Sequence, residues 1–287
     1  MGFLSHPLRD GYRGFQSARW RWRYRGRRPV ILIHQMARVG SITVLRALRR
    51  RSPRHRLMHT HYLHEETIAS WRRKFDRYHR ATGLPGYYRG FLTAELVRRR
   101  AARGGWGDWR VITMVRDPVA RTLSAFFRHL PLNHPELGLR FRDDPRNVSA
   151  LIDLFLDPSE PEHDFTLGWF DREVRDVLGT DVFSEPFPTD RGFSTYESAA
   201  GPLLLLRTES LATAGPEALG AFLDVDPLPL PVANRSDDLP YSATYKRFLA
   251  ELRLPTSYLD RMYGSRLARH FYQVSELDSF RRRWTRP

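Results

Sequence analysis

The stretch Leu32–Val44, LIHQMARVGSITV, decides how the rest of the chain is read. It starts as a short apolar run, passes through a polar turn with one glycine, and continues into a pattern with Val44, Leu45 and Leu48 on one helical face. Gly40 lets the backbone come close to a ligand, with no Cβ in the way. The amides of Gly40, Ser41, Ile42 and Thr43 would open the helix and point at one spot, where free N–H groups and the helix dipole favour an anion. Ser41 and Thr43 add hydroxyls, and Arg38 adds a planar cationic fork. The Walker pattern is absent, because its first glycine and the lysine before the serine are both missing. An equally plain reading is a structural turn between a strand and a helix.

Working outward, strands are expected at Pro29–Ile33, Arg56–Tyr62, Trp109–Val115 and Leu203–Leu206. Helices are expected at Ser41–Arg50, Glu65–Arg80, Phe91–Arg103, Val119–Leu130, Val148–Leu156, Phe165–Leu178, Pro216–Leu223, Tyr241–Leu252, Ser257–Tyr263 and Ser275–Arg283. Pro131–Pro145 and Pro186–Gly201 read as loops. Strands alternating with helices predict an α/β domain with a central parallel sheet covered on both faces. With 287 residues, 41% of them hydrophobic, and no flexible linker, one large domain over 29–287 is expected, preceded by a basic arm over 1–28.

Composition narrows the chemistry. There is no cysteine, which excludes disulfides, thiolate metal sites and a cysteine nucleophile, and fits a reducing compartment. No apolar run is long enough to span a membrane, and the start lacks the apolar region of a signal peptide, so a cytoplasmic location is expected. The net charge is +15, and 45 of the 47 basic residues are arginine, since only Lys74 and Lys246 are lysines. Part of that excess reads as base-composition bias. The remainder suits anionic ligands. In the arm, Ser17–Arg28 alternates arginine with aromatic residues, a pattern that suits an anionic lipid surface as well as a loosely docked segment.

Ligands of parallel α/β sheets bind at the carboxyl ends of the strands. The second informative strand end is Val115–Phe127, VRDPVARTLSAFF. Arg116 leaves the strand, Asp117 caps the next helix, and Arg121 and Ser124 share a helix face. Arg116 and Ser124 could clamp a phosphate, whereas the plainer reading is an Arg-Asp pair at a helix start.

Together these two motifs resemble the sulfotransferase family. A phosphate loop after the first strand is followed about 75 residues further on by R-D-P-x-x-R-x-x-S-x-F. The resemblance implies a P-loop-like fold and 3′-phosphoadenosine 5′-phosphosulfate as the donor, with no metal. It assigns the 5′-phosphosulfate to Arg38, Val39, Gly40, Ser41, Ile42 and Thr43, and the 3′-phosphate to Arg116 and Ser124. Arg38 stands where the family usually has lysine, so it can stabilise the bridging oxygen by charge but cannot donate a proton near neutral pH. The stretches ANRSDDLPYSATYKRFLAEL and RLARHFYQVSEL, with H-x-H after the second strand, resemble bacterial capsular polysaccharide synthesis proteins over roughly 29–277. That implies a glycan acceptor and adenosine 3′,5′-bisphosphate as the product.

The family places a histidine or glutamate base after the second strand. His59 and His61 would share a strand face, and His61 is the favoured base. His59, His64, Glu65 and Glu66 are alternatives, and the two glutamates also suit a helix start. No carboxylate stands at a spacing that would make the histidines a metal site. Trp71, Tyr87, Tyr88, Phe271 and Tyr272 are aromatic candidates for an adenine pocket that also fit a plain core, and Arg269 and His270 could reach the ligand. Two competing functions remain: a nucleotide-dependent kinase, which would need a Walker lysine and a magnesium-holding aspartate, and a non-catalytic binder of nucleic acid or anionic surfaces.

Overall fold

All five residues of β1, Val30–His34, are buried, and this strand has a partner on each side. The computed structural model describes residues 29–51, 55–84, 89–102, 106, 109–138, 140–231 and 239–285. The arm over 1–28, Tyr87 and Tyr88 lie outside them.

Five strands form one sheet in the order β2-β1-β3-β5-β4. They are β1, β2 (Arg56–Thr60), β3 (Trp109–Val115), β4 (Phe193–Tyr196) and β5 (Leu203–Arg207). Strands β1, β2, β3 and β5 run parallel, and β4 pairs antiparallel with β5 on the outer edge. Continuous apolar runs such as Val111–Ile112 and Leu203–Leu206 belong to strands buried on both faces, where no alternation is needed. The single-domain α/β fold agrees with the alternation read from the sequence. Strand β4 was expected to be loop. Its four residues are exposed or half-buried, so an apolar signal is missing.

Helices flank the sheet: α1 (Ser41–Arg51), α2 (Glu65–Thr82), α3 (Arg89–Ala102), α4 (Pro118–Asn133), α5 (Val148–Leu156), α6 (Pro161–Phe170), α7 (Asp176–Leu178), α8 (Gly215–Leu223), α9 (Ser242–Glu251), α10 (Thr256–Tyr263), α11 (Arg266–Phe271) and α12 (Val274–Thr285). No helix among the described residues is long and apolar enough to cross a membrane.

Two departures from the expected pattern have physical causes. Pro131 lies inside α4, although a loop was expected to begin there. Proline has no N–H, so the carbonyl of Phe127 loses its usual donor. Arg142 replaces it: Nη1 donates to Phe127 O at 2.7 Å and to Arg128 O at 3.1 Å. The remainder of that segment forms three short 3₁₀ turns, at Pro135–Leu137, Phe141–Asp143 and Pro145–Asn147. The expected helix Phe165–Leu178 starts earlier, at Pro161, and is interrupted by a π turn at Asp171–Arg175 before α7. The π turn carries Glu173, whose Oε2 accepts from the amides of Leu63 at 2.6 Å and His64 at 2.9 Å. That carboxylate fixes the segment leaving β2.

A buried charge cluster joins α4 to α6. Arg121 Nη1 donates to Glu162 Oε2 at 2.8 Å and to Thr166 Oγ1 at 2.9 Å, and His129 Nδ1 donates to Glu162 Oε1 at 2.7 Å. Burial pushes the Glu162 carboxyl up, but His129, Arg121 and Lys74 outweigh it and hold it well below the usual carboxylate range. The fully buried Arg121 therefore has a compensating charge.

Candidate functional site

The loop after β1 and the start of α4 meet at the carboxyl ends of the parallel strands. Arg38 Nε donates to Ser124 Oγ at 2.9 Å, and Arg116 Nη1 donates to the carbonyl of Arg38, also at 2.9 Å. Arg121 Nε reaches the carbonyl of Ala37 at 3.2 Å. Three side chains of the R-D-P-x-x-R-x-x-S stretch thus hold one loop. Arg38 and Ser124, read from the sequence as parts of two phosphate sites, are joined directly.

Arg38 has φ +75°, in the left-handed region that glycine and asparagine enter most easily. Keeping a long side chain there costs of order 1–3 kcal/mol. Gly40 has φ +85°, a backbone conformation that favours glycine, and a Cβ on it would stand 3.1 Å from Leu211 Cδ1, which would have to shift slightly. Burial lowers the pKa of Arg38; Tyr241 opposes that effect, while Arg116 and Arg128 add to it. A guanidinium stays cationic at neutral pH all the same.

One expectation for the loop needs correction. The amide of Thr43 does not point at a ligand, because it donates to the carbonyl of Gly40 at 3.0 Å and closes the first turn of α1. The amides of Gly40, Ser41 and Ile42 remain at the helix start, where no intrahelical acceptor exists for them. Ser41 is buried, and Ile42 and Thr43 are half-buried. Val39 is fully buried, and its carbonyl accepts from Thr208 Oγ1 at 2.8 Å. Thr208 Oγ1 also lies 2.9 Å from Val115 O, so from the end of β5 it ties the loop after β1 to the end of β3. Sequence reasoning missed Thr208, although it stands directly after a strand that had been read correctly.

Asp117 is spent on structure. Its Oδ1 accepts from the amides of Val119 at 2.9 Å and Ala120 at 3.3 Å, and from Tyr263 Oη at 3.2 Å. Burial, with the charge of Glu209 nearby, pushes its pKa up to about 6.

The histidines gather around Gln35, four residues after the buried Ile31 on the way out of β1. Gln35 Nε2 donates to His59 Nε2 at 2.8 Å, and His61 Nδ1 donates to the carbonyl of Gln35 at 2.9 Å. The two imidazoles meet edge to face with centroids 4.8 Å apart. His61 lies one residue past β2 rather than on it, because Glu173 and a Thr60–Tyr62 turn divert the chain. A backbone carbonyl can only accept, so His61 carries its proton on Nδ1 and its lone pair on Nε2. The 3.4 Å approach of Gln35 Nε2 to the same Nδ1 is then a contact between two donors. Burial lowers the pKa of His61 well below its ordinary value and that of His59 to about 4, so both are neutral at pH 7.

The other candidates take structural places. Glu65 and Glu66 open α2 as exposed first-turn acids, and Glu65 pairs with Arg98 at 2.9 Å. His64 is tied through its amide to Glu173. Trp71 is core, stacked on Tyr62 at 4.9 Å and edge-on to His129 at 4.7 Å. Phe271 is fully buried against Phe170 at 5.4 Å and Phe187 at 5.1 Å. Tyr272 is buried and donates to Glu209 at 2.9 Å. Arg269 is exposed, and His270 packs on Phe183 at 5.1 Å. Two aromatic residues that sequence reasoning passed over, Tyr241 and Tyr245, are instead among the groups acting on Arg38.

The comparisons with known proteins are narrow. Residues 162–273 match a family model described as "Putative capsular polysaccharide synthesis protein". This span, α6 to the end of α11, leaves out the loop after β1 and the Arg116 motif, and is shorter than the 29–277 over which a resemblance was read. No sulfotransferase family model matches. No curated protein and no solved structure matches the chain. Residues 162–273 are therefore similar to a family named for capsular polysaccharide synthesis.

Proposed function

We propose that the protein is a sulfotransferase that moves a sulfuryl group from 3′-phosphoadenosine 5′-phosphosulfate to a hydroxyl of a glycan of the capsular kind. The observation that carries the reading is the meeting at one point of the two motifs that the sequence suggested for anions, with Arg38 bonded to Ser124 and Arg116 bonded to the carbonyl of Arg38. Similarity to capsular polysaccharide synthesis proteins supports the glycan acceptor.

In this mechanism the first-turn amides of α1 and the Arg38 guanidinium hold the phosphosulfate, and Arg116 with Ser124 holds the 3′-phosphate. The acceptor oxygen attacks sulfur in line, and its proton passes to Nε2 of His61. The bond between sulfur and the bridging oxygen breaks, and adenosine 3′,5′-bisphosphate leaves. Arg38 stabilises the charge that develops on the departing oxygen, which is worth most where solvent is excluded. The carbonyl of Gln35 keeps the His61 proton on Nδ1, so the basic lone pair is on Nε2.

The test is transfer of label from radioactive phosphosulfate to a panel of polysaccharides, simple sugars, phenols and lipids. Transfer to a glycan, inhibited by adenosine 3′,5′-bisphosphate, is expected. No transfer to any acceptor, with equal binding of the bisphosphate and adenosine 5′-phosphate, would remove the reading.

A further inference from the structure

We infer that Tyr241 and Tyr245, at the start of α9, form with Arg128 of α4 a second anion subsite beside Arg38 and Arg116, which takes a phosphate, sulfate or carboxylate group of a bound ligand. The inference deepens the sulfotransferase reading. It rests on that reading for the identity of the ligand, not for the existence of the subsite.

The key observation is a buried hydroxyl. Tyr241 is 2% exposed, and its Oη has no hydrogen-bond partner among the described residues. Its ring is fixed on both sides: Phe127 packs against it with centroids 5.8 Å apart, and the Arg142 guanidinium lies 4.6 Å from its centre. Tyr245, one helical turn on, packs edge-on to the same Phe127 at 4.9 Å. A buried donor left unmade costs free energy, and buried polar groups in folded proteins are nearly always paired. A hydroxyl held this rigidly, with no partner among the described residues, suits an acceptor atom of a ligand.

The surroundings say which kind. The leading groups that act on Arg38 are Tyr241, Arg116, Arg128 and Tyr245, and none is a carboxylate. Tyr245 is in turn acted on by Arg116 and Arg38. Arg128 stands four residues after Ser124 on α4, so the two share a face and the cationic strip continues past the Arg38–Ser124 bond. Arg128 is exposed. Arg142 does not belong to the subsite. It is spent on the carbonyls of Phe127 and Arg128, and Asp143 lies 3.6 Å from its Nε. Three guanidiniums for which no ion pair is formed among the described residues, on the same side of α4 as two phenols, one of them unpartnered there, suit an oxyanion beyond the one that the α1 amides would hold. The shared chemistry fits either the 3′-phosphate of the donor or an acidic group on the acceptor.

The experiment uses the full chain and inorganic pyrophosphate as probe, titrated by calorimetry, with thermal melts in anion-free buffer. Tyr241→Phe removes only the hydroxyl. It should bind pyrophosphate about tenfold more weakly, the worth of one charge-assisted hydrogen bond, while melting at or above the wild-type temperature without anion. Arg128→Gln, an exposed change, should weaken binding similarly and leave the melt unchanged. Unchanged affinity in Tyr241→Phe overturns the subsite. So does a melting temperature that falls with the affinity, because the hydroxyl would then be a structural donor, and so does a wild type that does not bind pyrophosphate. Two further pairs identify the ligand. Loss of the preference for adenosine 3′,5′-bisphosphate over adenosine 5′-phosphate assigns the subsite to the donor. Loss of a preference for an acidic over a neutral disaccharide assigns it to the acceptor, and a variant that keeps every preference of the wild type overturns it. Failure of the sulfotransferase reading looks different: the wild type would then not discriminate between the two nucleotides, whatever pyrophosphate does.

Discussion

Arg38 Nε and Ser124 Oγ stand 2.9 Å apart and join positions separated by 86 residues of chain. Arg38 makes this bond from a backbone conformation that glycine would adopt at lower cost, at φ +75°. A side chain kept against local strain is a candidate for function rather than for folding. Arg38→Gly is therefore expected to melt at or above the wild-type temperature and yet to lose most turnover. Arg38→Lys retains the charge and should keep much of the activity. A glycine variant that is destabilised and still active would make the arginine a structural strut. Melting curves and a phosphosulfate transfer assay decide between these outcomes.

The tautomer of His61 leads to a second expectation. With the Nδ1 proton committed to the Gln35 carbonyl, Nε2 is the basic atom. His61→Ala should lower turnover by roughly 10²–10⁴, the usual weight of a general base, and leave bisphosphate affinity unchanged. His59→Ala should cost much less, because His59 Nε2 is already occupied by the Gln35 amide. Burial has moved the pKa of His61 well below 6.5, so turnover should be level between pH 6.5 and 8, with any falling limb on the acid side. A large loss in His59→Ala with little in His61→Ala would exchange the two roles.

The buried Arg121–Glu162 pair yields a prediction about both stability and loop position. Glu162→Gln keeps the shape but leaves a fully buried guanidinium uncompensated, at a cost of about 3–5 kcal/mol. Urea denaturation should show that loss. Replacing both residues by methionine should restore much of it, since apolar substitutes of similar volume often match a buried pair. The double variant should still bind bisphosphate poorly, because Arg121 Nε no longer holds the carbonyl of Ala37. A double variant as unstable as the single one would show that the cluster contributes packing rather than compensated charge.

What could be read beforehand follows from which signals are local. β3 was legible because Trp109–Val115 is apolar, β-branched and bounded by Arg116 and Asp117. The site loops were legible because a strand end, a glycine and a capping aspartate are neighbours in sequence. β4 was not, since Phe193–Tyr196 is held by pairing with Leu203–Leu206 and carries no apolar pattern of its own. Helix α4 runs through Pro131 only because Arg142, eleven positions later, supplies the missing donor, and no local rule anticipates that. The π turn depends on where Glu173 must stand to bind the amides of Leu63 and His64. Thr208, Tyr241 and Tyr245 escaped notice because their importance lies in contacts with the loop after β1 and with α4 across the fold.

Stability should fall as the pH is lowered from 7 toward 5.5. Burial lowers the pKa values of His34, His59, His61 and His129 in the folded chain. An unfolded histidine takes up a proton near pH 6.5, whereas these remain neutral, so the unfolded state binds more protons below that value. Stability then declines with falling pH, by up to about 1.4 kcal/mol per pH unit for each such histidine. Two groups oppose the trend. Asp117, pushed up to about 6, takes its proton first in the folded state, and so stabilises the fold as the pH drops through 6. His134, raised by its hydrogen bond to Glu160 at 3.0 Å, contributes stability that is fully present below pH 6.5. Burial lowers His55, His163 and His270 as well, so the histidines together outweigh these two, although Asp117 is already taking up its proton between pH 6.5 and 6. Thermal melts at half-unit intervals should show the melting temperature dropping from about pH 6.5 downward. Asp117→Asn should steepen the decline below pH 6, since it removes one opposing group. A melting temperature that is level or rises over that interval would mean that the histidines take up protons without loss of the fold, and would place them in contact with water rather than in the interior.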